Sequence, residues 1–132
     1  MKLEKKIILQ YLEKAIEARE KAYAPYSNFK VGAVLVDENG VETSGANIEN
    51  ASYGLSNCAE RSAIFAAASK GMRNIKIIAV VADTSKPVSP CGACRQVIKE
   101  FATEETVIIL GNLKKEYILM TMEELLPYGF EL

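Results

Sequence analysis

The segment IKIIAVVA at residues 75–82 is apolar at every position except Lys76. This composition is typical of a strand that is buried on both faces, whereas a strand with one face in water alternates apolar and polar residues. We therefore predict a central β-strand over residues 75–82. Segments that we predict to be helical lie on either side of it along the chain, at residues 58–70 and 90–101, which is the order of a layered α/β domain.

The elements predicted farther from this strand complete the same architecture. Further strands are predicted at residues 31–36, 41–48, 106–110 and 117–120. Apolar residues at helical spacing predict a first helix over residues 3–22, and a short last helix is predicted to end at Pro127. The order of elements predicts a three-layer α/β/α sandwich with a mixed five-stranded sheet, and we expect residues 1–132 to form one domain.

Local signals predict how these elements begin and end. Asn39-Gly40 is typical of a type I′ hairpin turn, in which both central residues have positive φ. Gly111-Asn112 is predicted to turn the chain into the last strand. Ser89 is predicted as the N-cap of a helix whose first residue is Pro90. Residues 121–124 have the pattern of a capping box that opens the short last helix.

The composition excludes several classes of function. The chain has 17 acidic and 16 basic residues, three cysteines and no histidine. Without histidine, a Ser-His-Asp or Cys-His triad and any His-ligated zinc site are impossible. A net charge of −1 gives no electrostatic footprint for nucleic acid, and no apolar run reaches the roughly 20 residues that a membrane span needs. The odd number of cysteines argues against a disulfide framework, and we expect a cytoplasmic protein without nucleic-acid or membrane partners.

The three cysteines form the strongest candidate for a chemical site. Cys91 and Cys94 form a C-x-x-C pair at a predicted helix start, where thiolate is favoured, and Cys58 lies at another helix start. Three thiolates leave a tetrahedral zinc with one open position, which is the arrangement of a catalytic site. The alternatives are a redox dithiol formed by the C-x-x-C pair, or three small buried side chains.

Glu60 is the one obvious acid/base group beside these cysteines. Zinc lowers the pKa of a bound water to about 7, so a nearby carboxylate can take its proton and later return it. The alternative is structural, because Asn57 and Glu60 have the spacing of a capping box. Residues two apart also point to nearly opposite sides of an ideal helix. Cys58 and Glu60 can therefore converge on one metal only when the first turn of the helix faces that metal end-on.

Two arginines adjoin the predicted ligands. Three thiolates on a dication leave a charge of −1, which Arg61 and Arg95 could offset by donating hydrogen bonds to the sulfurs. The alternative is that each arginine lies on the surface without contacting the sulfurs, and for Arg95 the two interpretations are equally favoured.

The combination of motifs resembles the zinc deaminase signature. Cys58-Ala59-Glu60 is followed by Pro90-Cys91 and Cys94, which matches the three-cysteine variant of that signature. The chain as a whole is similar to the short, homotetrameric cytidine deaminases that act on free nucleosides. The match also includes YSNFKVGA at residues 26–33, NIENASY at residues 47–53, CGACRQ at residues 91–96, and Phe130.

The resemblance implies a role for each matching position. Cys58, Cys91 and Cys94 would bind one zinc ion per subunit, Glu60 would carry protons, and Arg61 would donate to the zinc thiolates. The residues implied to contact the substrate are Phe29 against the nucleoside, Asn47 and Glu49 at the ribose 3′-hydroxyl, and the main chain of Ala59 and Ser89 at the base. The residues implied to reach the sites of neighbouring subunits in a homotetramer are Ala51, Tyr53 and Phe130.

The function that these observations favour is hydrolytic deamination of cytidine and deoxycytidine to uridine and deoxyuridine in pyrimidine salvage, with release of ammonia. One alternative is deamination of another aminopyrimidine nucleoside, which the Asn47 and Glu49 pair disfavours. A less favoured alternative is a zinc-stabilised domain without catalytic activity, which would need a carboxylate as its fourth ligand because no further cysteine or histidine is available.

Overall fold

The computed structural model describes residues 2–132, which form one five-stranded sheet with helices on both faces. The strands are β1 (Val31–Asp37), β2 (Glu42–Ala46), β3 (Ile75–Ala82), β4 (Ala102–Asn112) and β5 (Tyr117–Met120). The helices are α1 (Lys5–Arg19), α2 (Ala59–Ser69), α3 (Gly92–Phe101) and α4 (Met122–Leu125), and a 3₁₀ turn spans Tyr53–Leu55. Within residues 2–132, no helix is long and apolar enough to cross a membrane.

The sheet has the strand order β2-β1-β3-β4-β5. Strands β3 and β4 are parallel, with Ala79 opposite Ile109, and every other neighbouring pair is antiparallel. Strand β3 is central and buried along its length except at Lys76. The predicted mixed five-stranded sheet and its central strand over residues 75–82 are confirmed.

Two hydrophobic clusters separate the three layers. On one face, Ile8, Leu12 and Ala15 of α1 pack in a cluster with residues of β1, β3 and β4. On the other face, Ile64 of α2 and Ile98 of α3 belong to a cluster that α4 also joins. The strands alternate between the two clusters because successive side chains point to opposite faces of a sheet. The predicted three-layer architecture is confirmed.

Helix α2 lies unusually close to the edge strand β2. A Cβ atom at Gly45 would lie 2.5 Å from the backbone nitrogen of Ala63 and 2.8 Å from the carbonyl oxygen of Ala59. Only glycine permits this distance, since real Cβ atoms essentially never approach another heavy atom so closely. Gly45 therefore sets the position of α2 and of the residues at its N-terminus.

The two predicted turns differ from those observed. At Asn39-Gly40, only Gly40 has positive φ, at 80°. The turn runs from Asp37 to Gly40, and Asp37 Oδ1 accepts hydrogen bonds from the backbone N–H groups of Asn39 and Val41. The type I′ prediction is wrong because this Asp side chain organises a different turn.

The second turn lies after the predicted position. Gly111 and Asn112 belong to β4, and the chain turns between Asn112 and Lys115, which has φ of 63°. The side-chain Oδ1 of Asn112 accepts from the backbone N–H groups of Lys114 and Glu116, which stabilises the later turn. Helix α1 is also shorter than predicted, and β4 is longer.

Candidate active site

The first turns of α2 and α3 bring the three cysteines together. Cys58 and Cys91 are the N-cap residues of α2 and α3, and both have extended backbone conformations. Their carbonyl oxygens accept the first helical hydrogen bonds, from Ser62 at 2.9 Å and Arg95 at 3.1 Å. Neither thiol caps its helix, so both sulfurs are available to bind a metal ion. Cys94 follows in the first turn of α3 and is buried.

The spacing of the sulfurs fits a single zinc ion. The Sγ atoms of Cys58, Cys91 and Cys94 all lie within 4.8 Å of one another. Two thiolates on a tetrahedral zinc, each at about 2.3 Å, are separated by about 3.8 Å. Within residues 2–132, the group that could hold an ion contains these three ligand atoms and excludes Glu60. The donor set therefore suits zinc with one position left for a non-protein ligand.

Hydrogen bonds from two neighbouring side chains favour the thiolate form of Cys58. The hydrogen bond from the Cys94 thiol, followed by that from Arg61, lowers the pKa of Cys58 to about 5. The same interaction with Cys58, together with burial, raises the pKa of Cys94. Nη2 of Arg61 donates to Sγ of Cys58 across 3.2 Å, and this bond raises the pKa of the guanidinium. The site thus favours thiolate at Cys58, beside the permanent cation of Arg61.

Glu60 is a buried carboxylate in the wall of the same site, with 4% of its surface exposed. Burial is the largest cause of its raised pKa, and the charge of Cys58 adds to the shift. Cys58 precedes the helix with an extended backbone, whereas Glu60 lies in its first turn. Their side chains can therefore face one pocket although they are two residues apart.

The capping-box alternative for Glu60 is wrong. Helix α2 has Cys58 rather than Asn57 as its N-cap, and no side chain caps it. The Asn57 side chain instead donates from Nδ2 to Oγ of Ser62 at 3.2 Å. Glu60 is therefore not needed to begin the helix.

A pocket of about 380 Å³ opens beside the cysteines. This volume lies within the range of small-molecule sites. The predicted site residues in its wall are Phe29, Asn47, Glu49, Tyr53, Cys58, Ala59, Glu60, Arg61, Ser89 and Cys91. The residues of the wall that the sequence did not single out as site residues are Val31, Ser56, Asn57, Val80, Val88 and Pro90. The structure thus brings segments from four parts of the chain to one cavity.

Asn47 and Glu49 hold the loop that carries Phe29. Oδ1 of Asn47 accepts from the backbone N–H of Val31 at 2.8 Å, and its Nδ2 donates to the carbonyl of Phe29 at 2.8 Å. Oε1 of Glu49 accepts from the backbone N–H groups of Tyr26 at 2.9 Å and Ser27 at 3.2 Å. Both side chains keep unused hydrogen-bonding positions, which include an N–H on Asn47 and a lone pair on the second oxygen of Glu49.

Three predicted site residues lie outside the pocket wall: Cys94, which is fully buried beside Cys58 and Cys91, and the exposed Ala51 and Phe130. Ala51 is exposed and does not line the cavity. Phe130 is 68% exposed and is held on α3 by Gln96, which donates to the Phe130 carbonyl at 3.1 Å and accepts from its N–H at 3.3 Å. Neither Ala51 nor Phe130 contacts the site of its own chain.

Arg95 does not bond to the sulfurs. Its guanidinium donates to the Pro90 carbonyl at 2.9 Å, to the Leu125 carbonyl at 2.6 Å and to Oγ of Ser89 at 2.6 Å. These bonds hold the segment before α3 against the pocket. The contact between Arg95 and Leu125 could not be predicted from the sequence, because the two residues are far apart along the chain.

The prediction of Ser89 as an N-cap is wrong, because Cys91 is the N-cap of α3 and the helix begins after it.

Comparison with known proteins places this site in a family. Residues 5–110 match the family model described as the cytidine and deoxycytidylate deaminase zinc-binding region. The chain is 56% identical over 119 residues to the cytidine deaminase of Halalkalibacterium halodurans, covering 90% of each chain. It is 54% identical over 114 residues to that of Sporosarcina psychrophila, covering 86% of this chain and 84% of the relative.

Solved structures agree with this result. The crystal structure of cytidine deaminase from Burkholderia pseudomallei superposes with a TM-score of 0.89 and 49% identity, covering 92% of this chain and 98% of that one. The crystal structure of cytidine deaminase from Mycobacterium tuberculosis gives a TM-score of 0.81 and 35% identity, covering 94% and 97%. At these identities the similarity extends to both fold and sequence.

Proposed function

The chain belongs to the cytidine and deoxycytidylate deaminase family, and on that premise we propose that it converts free cytidine and deoxycytidine into uridine and deoxyuridine, with release of ammonia. One observation carries the proposal. Three cysteine sulfurs lie within 4.8 Å of one another, and two of these cysteines, Cys58 and Cys91, line a pocket whose wall also contains the buried Glu60. A metal site with an unfilled position and an adjacent acid/base group is suited to hydrolysis.

Cys58, Cys91 and Cys94 would hold one zinc ion per subunit. When bound, zinc lowers the pKa of a water molecule to about 7 and so supplies a nucleophile at neutral pH. Arg61 donates to Cys58 and offsets part of the negative charge of three thiolates.

Glu60 would move the protons of the reaction. It would take a proton from the attacking water and give it to the ring nitrogen next to the carbon that carries the amino group. It would then return the second water proton to the departing amino group, so that ammonia leaves and the carbonyl of uridine forms. Burial of Glu60 keeps bulk water from competing for these protons.

The pocket wall would orient the nucleoside. The main chain of Ala59 and Ser89 would bond to the base, and Phe29 would pack against the substrate. The free N–H of Asn47 and the free lone pair of Glu49 suit a hydroxyl group, which can accept one hydrogen bond and donate another. We assign this pair to the ribose 3′-hydroxyl, which requires a free nucleoside rather than a nucleic acid.

We further propose a homotetramer in which Ala51, Tyr53 and Phe130 complete the sites of neighbouring subunits. Tyr53 is 75% exposed and Phe130 is 68% exposed, so both side chains are accessible to a second copy of the chain. Three free thiols suit a reducing compartment, and we assign the protein to the cytoplasm and to pyrimidine salvage. We also propose that residues 1–132 act as one domain.

The test combines metal analysis with an absorbance assay. The purified protein is expected to contain zinc and to decrease the absorbance of cytidine and deoxycytidine as they are deaminated. Protein from which zinc has been removed by a chelator serves as the control, and activity should return when zinc is added. A zinc-loaded protein that leaves both nucleosides unchanged would contradict the proposal. Light scattering of the same sample should give the mass of four chains.

A further inference from the structure

The loop between α1 and β1 carries Ser27, an exposed residue that does not line the pocket but whose hydroxyl bonds to Glu49, which does. We propose that Ser27 is a positioning residue, which orients the Glu49 carboxylate so that one of its oxygens faces the ribose of the substrate. This inference rests on the proposed function and extends it to a residue that does not itself contact the nucleoside.

The hydroxyl of Ser27 joins two residues of the pocket wall. It donates its proton to Oε2 of Glu49, and it accepts a hydrogen bond from the backbone N–H of Phe29 at 3.0 Å. A hydroxyl has one proton to donate, so its direction is determined by these two bonds. Ser27 is thus the junction between Glu49 and Phe29, which approach the pocket from different segments of the chain.

The two oxygens of Glu49 differ in what they have left to bond. Oε1 accepts from two backbone N–H groups, of Tyr26 and Ser27, which fills its two lone pairs. Among residues 2–132, Oε2 receives a single hydrogen bond, from the Ser27 hydroxyl. The remaining lone pair for a substrate hydroxyl therefore lies on Oε2, and Ser27 determines which way it points.

The same contact favours the ionised form of Glu49. The hydrogen bond from Ser27 is the largest cause of the lowered pKa of Glu49, ahead of those from the backbone of Tyr26 and Ser27. An ionised carboxylate can only accept, so it distinguishes a hydroxyl, which donates, from a group without a proton to donate. Losing Ser27 would weaken this arrangement without removing the carboxylate.

The backbone beside Ser27 turns sharply. Asn28, the next residue, has φ of 58°, in the left-handed region that asparagine enters more often than most residues other than glycine. Its N–H bonds to the Ala24 carbonyl at 3.0 Å. The Ser27 hydroxyl closes the turn from the other side by accepting from Phe29.

The test compares two substrates in the zinc-loaded enzyme. For Ser27→Ala we expect KM for cytidine to rise about tenfold with kcat within about twofold, since one hydrogen bond to a charged group is lost. For 3′-deoxycytidine, which offers Glu49 no hydroxyl, we expect the same substitution to change KM by about twofold or less. Ser27→Thr keeps the hydroxyl and should retain most of the affinity of the wild type. Ser27→Val has nearly the shape of Ser27→Thr but lacks the hydroxyl, so it should not.

The outcomes separate this proposal from the proposed function. If the wild-type enzyme does not deaminate cytidine, the proposed function fails, whatever the variants do. If it does, an unchanged KM in Ser27→Ala, or an equal loss with both substrates, would overturn the role of Ser27. Zinc content and melting temperature are measured for each variant, and Ser27→Val against Ser27→Thr repeats the comparison if the alanine variant unfolds.

Discussion

Nη2 of Arg61 donates to Sγ of Cys58 across 3.2 Å, while Nε of the same guanidinium is buried without a hydrogen-bond partner among residues 2–132. A buried polar atom without a partner costs free energy, so the side chain is not held there by its own hydrogen bonding alone. Its attraction to thiolate offsets that cost. The arginine consequently belongs to the electrostatics of the metal site more than to the stability of the fold.

Replacing Arg61 by glutamine is expected to weaken the metal site. The three thiolates would lose their neighbouring cation, and substitutions in the outer shell of a metal site cost about 10–100-fold in metal affinity or activity. Competition with a chelator measures zinc affinity, and the cytidine assay measures kcat. Lys76→Gln removes a positive charge from the exposed position of β3 and should leave both quantities unchanged. Equal behaviour of the two variants would show that Arg61 does not act on the site.

Replacing Glu60 by glutamine should abolish turnover but retain zinc. The carboxylate is not part of the ligand group, and the other carboxylate in the pocket wall, Glu49, is assigned to the ribose rather than to proton transfer. Removing a general acid/base costs about 10²–10⁴-fold in rate. Because a buried amide costs less to desolvate than a carboxylate, we expect a melting temperature at least equal to that of the wild type. A zinc-loaded variant with nearly normal kcat would disprove the role of Glu60.

Replacing Cys91 by alanine is expected to lose zinc with little direct effect on packing, because Cys91 is exposed. Two thiolates hold the ion far less tightly than three, and metal binding contributes to the stability of the folded state. Metal analysis should find substoichiometric zinc, and added zinc should no longer raise the melting temperature. Ala93→Ser, in the same helical turn and also exposed, provides the matched control and should retain one zinc ion per chain.

Replacing Gly45 by alanine is expected to displace α2. The added methyl group would meet backbone atoms of Ala59 and Ala63, which cannot move without the helix. Overpacking of this kind costs about 1–3 kcal/mol, measured as the free energy of unfolding in urea. Gly54→Ala is the control, since nothing lies within 4 Å of the position that its Cβ would occupy. Similar stability of the two variants would show that α2 can shift at no cost.

Replacing Gln96 by alanine is expected to release the segment that carries Phe130, because Gln96 forms two hydrogen bonds with its backbone. If Phe130 completes a neighbouring site, KM for cytidine should rise in Gln96→Ala as it does in Phe130→Ala, while zinc content stays constant. Glu131→Ala removes the ion pair with Lys99 at a side chain that is 75% exposed in the same segment, and it should change KM little. An unaltered KM in Phe130→Ala would remove this residue from the proposed shared site.

Most of the secondary structure and the set of candidate ligands could be predicted from the sequence because both depend on short-range patterns. The apolar run of β3 determines its burial, and the spacing of Cys91 and Cys94 determines that both thiols lie near one turn of α3. The absence of histidine restricts the candidate acid/base groups, and Glu60 follows from its proximity to Cys58. The order of the motifs along the chain likewise allows the family to be predicted from the sequence.

The tertiary structure decided which polar groups meet. Asn57 and Glu60 have the spacing of a cap, yet the N-cap of the helix is Cys58, and Glu60 lies in the pocket wall. Arg95 reaches the carbonyl of Leu125, and Glu49 binds the loop at Tyr26 and Ser27, contacts between segments that are far apart along the chain. Hydrogen bonds of this kind form only after the sheet has positioned both partners, so local patterns carry no record of them. The sequence by itself therefore determined the chemistry that is available, and the packing of the layers decided how it is arranged around the pocket.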